Sequence, residues 1–455
     1  MATGTTTRNA VFDFVSGSTW SDVPQPVQTI ATQCVLDLVG VAAAGRTTEL
    51  SALVHDHAVR YFAAGDGTRP ARLLFDGRHA SVVGAALAGA STIDSFDAHD
   101  GHVLTKGHAG VAVLPATLAL VDALEADVSG AELLAAVIIG YEIALRAGIA
   151  LHATAPDYHT SGAWNALGVA AVAARLWGLD DETFRHALGI AEYHGPRSQM
   201  MRCIDHPTML KDGSGWGAAA GTSAACLAVD GFTGAPASLV ENEEVAEVWR
   251  DLGERWRIGE MYFKPYPVCR WAQPAVEAAL AAAAGLRHDE IERIRVETFA
   301  AAARLAHPEP ATTEEAQYSL PFPVAAALVH GTLRPDHIVG AALEDPHVLA
   351  LAQRVELAVV PELEAEFPAK RRARVAIELR DGRVVESATL PARGDAEAPL
   401  SQGELREKFT ALAEPLLGSR TTEVAESIEQ LPDAPSVLPL LDRLLTSREH
   451  GGRWR

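Results

Sequence analysis

The chain of 455 residues is poor in several of the things that mark common protein classes. It has four cysteines (Cys34, Cys203, Cys226, Cys269), far apart and without C-x-x-C or Cys/His zinc spacing. That excludes a disulfide framework and the standard zinc patterns, and makes a reducing cytoplasm the default compartment. Aromatic residues make up only 6%. Basic residues number 38 against 59 acidic ones, a formal charge of −21 that excludes a nucleic-acid-binding face and disfavours anionic membrane surfaces. No uncharged apolar run reaches 18 residues; 162–174 comes nearest, broken by Asn165 and closed by Arg175, so no membrane span is expected. The N-terminal Met-Ala-Thr-Gly-Thr-Thr-Thr-Arg lacks the charged-then-apolar pattern of a signal peptide. Lysine is scarce too: Lys106, Lys211, Lys264, Lys370 and Lys408 are the only five, and arginine supplies most of the positive charge.

What is present is Ala, Val and Leu, which carry most of a 48% hydrophobic content. That composition suits closely packed helices, because Ala has the best helix propensity and lets backbones approach. The length implies two or three domains. Residues 8–260 read as helix after helix, with apolar spacings of three and four over 24–44, 81–93, 113–126, 129–149, 162–177, 182–192 and 214–229. After Tyr266 and a further helix over 274–285 the period changes to two. Ile291–Thr298, Val355–Val359 and Val375–Leu379 alternate as half-buried strands do. Asp381-Gly382 then signals a hairpin with a return strand from Val384 to Leu390. Helical pattern resumes at Ser401–Leu417, 421–431 and 436–446. The fold class is therefore mainly α with an inserted α+β domain: 1–265 with 396–455 helical, and 266–395 a smaller unit with a three- or four-stranded, mostly antiparallel sheet. The basic run Lys370-Arg371-Arg372-Ala-Arg374 reads as a solvated strand edge.

Titratable residues crowd Ile93–Gly110, which holds Asp94, Asp97, Asp100, His99, His102 and His108 between apolar flanks. Histidine titrates near neutrality, and a neighbouring carboxylate can fix its tautomer and raise its basicity. The plainer reading is a solvated loop between two helices. A metal site using Asp97 with these histidines fits no standard spacing, and no metal is expected. Three polar residues precede helix starts: His108, His159 in Tyr158-His-Thr-Ser-Gly162, and Lys211 in Lys211-Asp-Gly-Ser-Gly-Trp-Gly217. Helix N-termini attract anions, so three converging ends with added cationic charge would hold a di- or tricarboxylate. Each could equally be an ordinary capping loop. Arg197 and Arg202 offer bidentate carboxylate recognition, and Lys264-Pro-Tyr-Pro-Val-Cys-Arg-Trp-Ala-Gln273 sits at the domain boundary, where clefts form. In that window Lys264 and Trp271 read as packing residues and Arg270 as a ligand-binding one.

Taken in order, these windows resemble the MmgE/PrpD family, which includes 2-methylcitrate dehydratase, cis-aconitate decarboxylase and iminodisuccinate epimerase. Asp94-Ser-Phe-Asp97-Ala-His99 is similar to its aspartate-rich segment, and His108-Ala-Gly110 with Val113-Leu-Pro-Ala116 is similar to the family's next two motifs. His159-Thr-Ser-Gly162, Lys211, the Lys264–Cys269 motif, Tyr318-Ser-Leu320, and Gly394-Asp395 with Pro399-Leu-Ser401 match later elements. The departures are Ala98 for threonine, Ala109 for proline, and Gln273 where several members carry histidine. The resemblance implies a helical domain built from both chain ends, an α/β lid, a homodimer, and metal-free, cofactor-independent chemistry on a small polycarboxylate between the domains.

The expected reaction is a dehydratase-type β-elimination. His108 or His159 would take a proton α to a carboxylate, with the other histidine or Tyr318 as acid and Asp94 or Asp97 orienting a histidine. Lys211 and Arg270, with Arg197 or Arg202, would hold carboxylates and the developing enediolate charge; Ser161, Tyr266 and Gln273 complete the substrate-binding set. Epimerisation or decarboxylation would share the same early carbanion. A non-catalytic carboxylate-binding paralogue is the reading from another class, motivated by Gln273.

Overall fold

The computed structural model describes residues 2–124, 126–395 and 398–446, with side chains from residue 7 onward. The 396 boundary, Glu125 in the helix expected over 113–126, and the stretch 447–455 lie outside the described residues. The chain is mainly α with small sheets, and sequence periodicity located most of its longer helices. Gly162–Trp177 and Ser214–Val229 fall where the spacing placed them. Gly130–Thr154 ends five residues later than expected, and Gly110–Asp122 starts three residues earlier.

Small residues set how closely these helices pack. A Cβ at Gly168 would strike the carbonyl of Gly140, and one at Gly89 would come within 2.7 Å of Pro115. Two helices, Gln25–Gly45 and Gly130–Thr154, are long and apolar enough to cross a membrane by length and composition. Both run largely through the interior, the second with 94% of its apolar window buried. The charges on Gly130–Thr154 are turned to account internally. Arg146 is fully buried and reaches the carbonyls of Asp251 (3.1 Å) and Arg255 (2.8 Å), while Glu142 accepts from the Ile258 amide at 2.9 Å.

The last helices return to the first. Phe409 and Leu412 of Gln402–Leu417 pack on Gly40 of Gln25–Gly45, and Phe75 N–H donates to the Leu444 carbonyl at 2.7 Å. Two short antiparallel pairs interrupt the helical part, against the expectation of none. One of them, Gly101–His102 with Met261–Tyr262, fastens the histidine-rich segment to the chain just ahead of Lys264.

The sheet of the 266–395 stretch has five strands rather than three or four. Ile291–Thr298 pairs parallel with Val355–Val359 and antiparallel with Arg372–Leu379, which also pairs with Val384–Glu386 and Leu390–Pro391. The parallel pairing is possible because a long helical connection separates its strands; parallel neighbours need such a crossover. Ala373, Val375, Ile377 and Leu379 face the interior, where Gln273–Ala282 packs on this strand, and the intervening residues face outward.

Candidate active site

The segment around His108 is not a solvated loop. Asp94, Asp97, His99, Asp100 and His102 are all at most 5% exposed. Buried polar groups must find partners, and here the partners define the site. His108 Nδ1 donates to the Asp100 carbonyl at 2.5 Å, and its backbone N–H donates to Ser161 Oγ at 2.8 Å. The first bond fixes the tautomer, leaving Nε2 with a free lone pair 3.8 Å from the Asp97 carboxylate. Burial, followed by the nearby His99 and Lys264, pushes the His108 pKa well below 6.5, so the ring is neutral near pH 7.

Asp97 is bonded by the Lys264 ammonium. Burial alone would raise its pKa; Lys264, His108 and Lys211 overcome that and hold it below the ordinary carboxylate range. The loop is clamped from two further sides. Gln317 Oε1 accepts the Asp97 N–H at 2.8 Å and the Lys211 ammonium at 2.6 Å, while Lys408 donates to the Ala98 carbonyl at 2.7 Å. Beneath it Tyr141 donates to Asp100, whose carboxyl is raised to about 6 by burial and then by Asp37.

A cavity with about 620 Å³ of empty space, part of it open to solvent, lies over His108. Its walls carry Asp97, Asp212, Lys106, Lys264, Arg270 and Arg371, with the aromatic faces of Tyr158, Tyr262, Trp271 and Tyr318. Four cations against two carboxylates make it locally basic inside an acidic protein. Lys106 lies over the Tyr158 ring at 3.5 Å, and Arg270 lies over the Tyr262 ring at 4.4 Å and pairs with Asp395. Lys106 and Lys211 both hold left-handed backbone, φ 52° and 49°, unfavourable for a residue with a Cβ. Asp212 accepts from the Ser161 hydroxyl; burial, then Asp94, raises its carboxyl to about 8.

The MmgE/PrpD N-terminal domain model matches residues 9–249, and the C-terminal domain model matches 266–433. The chain belongs to the MmgE/PrpD family. It is an enzyme of that family, and curated relatives run nearly its whole length. It is 27% identical over 447 residues to cis-aconitate decarboxylase of Homo sapiens, covering 90% of this chain and 88% of that protein. It is 24% identical over 405 residues to cis-aconitate decarboxylase-like protein oryM of Aspergillus oryzae, covering 78% and 81%. The cis-aconitate decarboxylase of Aspergillus terreus is 23% identical over 474 residues, covering 93% and 92%.

Within this MmgE/PrpD chain the expected residues fall into three groups. His108, Asp97, Tyr318 and Arg270 line the cavity. Lys211, Asp94 and Ser161 stand directly behind its wall: Lys211 lies 4.9 Å from the Tyr318 ring centre, Asp94 Oδ1 is 3.5 Å from His99 Nε2, and Ser161 bridges His108 and Asp212. His159, Arg197, Arg202, Tyr266 and Gln273 do not line it. His159 sits at the rim, half-buried, with Nδ1 on the Asp157 carbonyl at 2.9 Å. Arg197 and Arg202 are exposed. Tyr266 faces a separate groove with Arg334 and Glu404. Gln273 is fully buried and holds the carbonyls of Tyr266 and Val268, each at 2.8 Å, so it supports the Pro-rich loop.

The three helix N-termini do meet, but the protein's own groups occupy them. The Gly162 N–H donates to the Asp212 carbonyl at 3.3 Å, and the Ser214 N–H to Asp94 at 3.4 Å. Lys264 and Trp271, read as packing, are wall residues, and Asp212, Lys106, Tyr262 and Arg371 join them. The scarcity of lysine was the available signal for Lys264. Asp97, His99 and His108 have donor atoms within 4.8 Å of one another, but Asp97 already carries an ammonium and His108 Nδ1 is committed to a carbonyl. This donor set does not fit a metal ion, which would sit against the charge of Lys264.

Proposed function

We propose that this protein is a lyase acting on a small polycarboxylate, with His108 as the general base and no metal in the chemical step. One observation carries the reading: a neutral histidine with its tautomer locked and Nε2 free faces a basic cavity. The polycarboxylate follows from the excess of cations on the walls, and the relatives' names point the same way. We read the helices of both chain ends as one body and the 266–395 unit as an insertion that closes over it.

In the elimination, His108 Nε2 takes a proton from carbon α to a carboxylate. The electron pair moves into that carboxylate, and the negative charge it gains lies near Lys264. The Asp97 carboxylate supports the imidazolium once formed. The leaving hydroxyl departs as water with a proton from Asp212, whose raised pKa suits a general acid near neutrality better than the strongly raised Tyr318. Decarboxylation uses the same cavity: CO₂ leaves from a carboxylate, its electron pair passes to carbon, and protonated Asp212 delivers the proton there. The relatives named as cis-aconitate decarboxylases favour that variant.

The test is an incubation with cis-aconitate, citrate and 2-methylcitrate in deuterated water, followed by NMR and CO₂ release. Decarboxylation yields CO₂ and one deuterium on carbon; dehydration yields an alkene and no CO₂. No turnover of any of the three overturns the proposal. Solvent exchange without net conversion would instead mark an epimerase.

A further inference from the structure

We infer that Arg371 is a specificity-determining residue, the anchor for a substrate carboxylate remote from the carbon on which His108 acts. This rests on the reading of the cavity as a polycarboxylate site.

Arg371 precedes the strand Arg372–Leu379, in step with its inward positions Ala373, Val375, Ile377 and Leu379. That parity turns one member of a basic run into the protein while Arg374 points out to Glu297 and Glu362. Arg371 is 6% exposed and lines the cavity. Its Nε is buried without a hydrogen-bond partner, and among the described residues no ion pair reaches its guanidinium. Two of the other wall cations are compensated. Lys264 is paired with Asp97 and Arg270 with Asp395. A buried guanidinium is costly unless an anion meets it, and its planar fork is matched to a carboxylate.

The location separates this charge from the chemistry. The groups acting on His108 are His99, Lys264, Asp97 and Asp100; those acting on Arg371 are Tyr262, Arg270, Asp395 and Cys269. Tyr262 stands between. A Cβ at Gly101 would meet both the Tyr262 hydroxyl and the His108 ring, and the Tyr262 ring carries Arg270. A ligand reaching from His108 past Tyr262 to Arg371 would meet Lys264 at one end and Arg371 at the other, and a carboxylate at each end matches both. Arg371 therefore selects for the number and spacing of carboxylates, and because it comes from the sheet unit it ties selection to the docking of that unit on the helical body.

The experiment is calorimetric titration of the full chain with propionate, glutarate and propane-1,2,3-tricarboxylate, alongside turnover of cis-aconitate. In the native protein affinity rises with carboxylate count. Arg371→Met is expected to lose about 10–100-fold toward the tricarboxylate, the worth of a charge-assisted pair. Propionate binding stays unchanged, and KM for cis-aconitate rises by a similar factor with kcat within about 3-fold. Arg371→Lys keeps the charge without the fork and recovers part of the loss; Arg374→Gln leaves every value unchanged. An equal loss toward all three ligands, or none, overturns the assignment. If Arg371→Met does not fold, Arg371→Lys decides: a loss confined to the tricarboxylate supports it, and native affinities overturn it. Failure of the native protein to bind any of the acids sinks the polycarboxylate reading instead.

Discussion

The cavity has two walls of opposite design. On the helical side, around Asp97 and His108, three buried charges are met by protein groups: Lys264 on Asp97, Asp100 beneath Tyr141, Lys211 on Gln317. On the sheet side, among the described residues, Arg371 Nε is buried without a hydrogen-bond partner, and Asp395, the carboxylate that acts on it, is already paired with Arg270. A satisfied network is rigid and holds its groups in one geometry, which proton transfer requires. An unsatisfied buried charge does the reverse: it weakens the free protein and gains from a ligand. The first wall suits chemistry and the second suits recognition.

The largest test of this contrast is His108→Ala, expected to lower kcat by about 10²–10⁴-fold, the usual share of a general base. Turnover near native would erase the division. Next is stability. Lys264→Met leaves Asp97 buried without its ion pair and should cost about 3–5 kcal/mol in denaturant unfolding. Arg371→Met, on the other wall, should leave the ligand-free protein as stable or more so; a matching loss in both would show that the walls do not differ.

A subtler effect is in pH. Asp212 has its carboxyl at about 8 in the folded protein against an ordinary 3.8. Between those values the native state binds more protons than the unfolded one, so stability falls as pH rises through this window. Asp212→Asn should remove that slope, as seen in melting temperature across pH 5 to about 9. His108 acts in the opposite sense: its pKa is depressed in the fold, so the acid limb of kcat/KM should lie below pH 6.5. An acid limb at or above that pH would show the base to be a different group. The smallest effect is Arg374→Gln on the outer face, expected within about 1 kcal/mol because exposed ion pairs contribute little.

Much of this molecule was legible before any coordinates. Helices announced themselves through apolar spacing and Gly or Pro punctuation, and three strands through alternation. His108 and Asp97 were found because titratable residues crowd one segment between apolar flanks, Arg270 because its window lies at the domain boundary, and Tyr318 through the motif order. Lys264 was misread from its proline-rich surroundings, though its scarcity argued for a role: Lys106, Lys211, Lys264 and Lys408 all reach the His108 loop or its supports. Arg371 was misread as an edge charge, although strand parity places it in phase with Ala373 and Val375. Arg197 and Arg202 misled in the other direction, since charge alone does not say which way a side chain points.

The order of residues by itself determined the element types, the Ala-rich helical packing and the family, because local periodicity and motif order are properties of the chain. Which polar groups share a cavity was decided only by tertiary structure. Gly101–His102 pairs with Met261–Tyr262 across about 160 residues, and Gln317 bonds to Asp97 and Lys211 from two different segments. Such partners are chosen by burial, where each desolvated charge must be met or left waiting for a ligand, and no local signal encodes that choice.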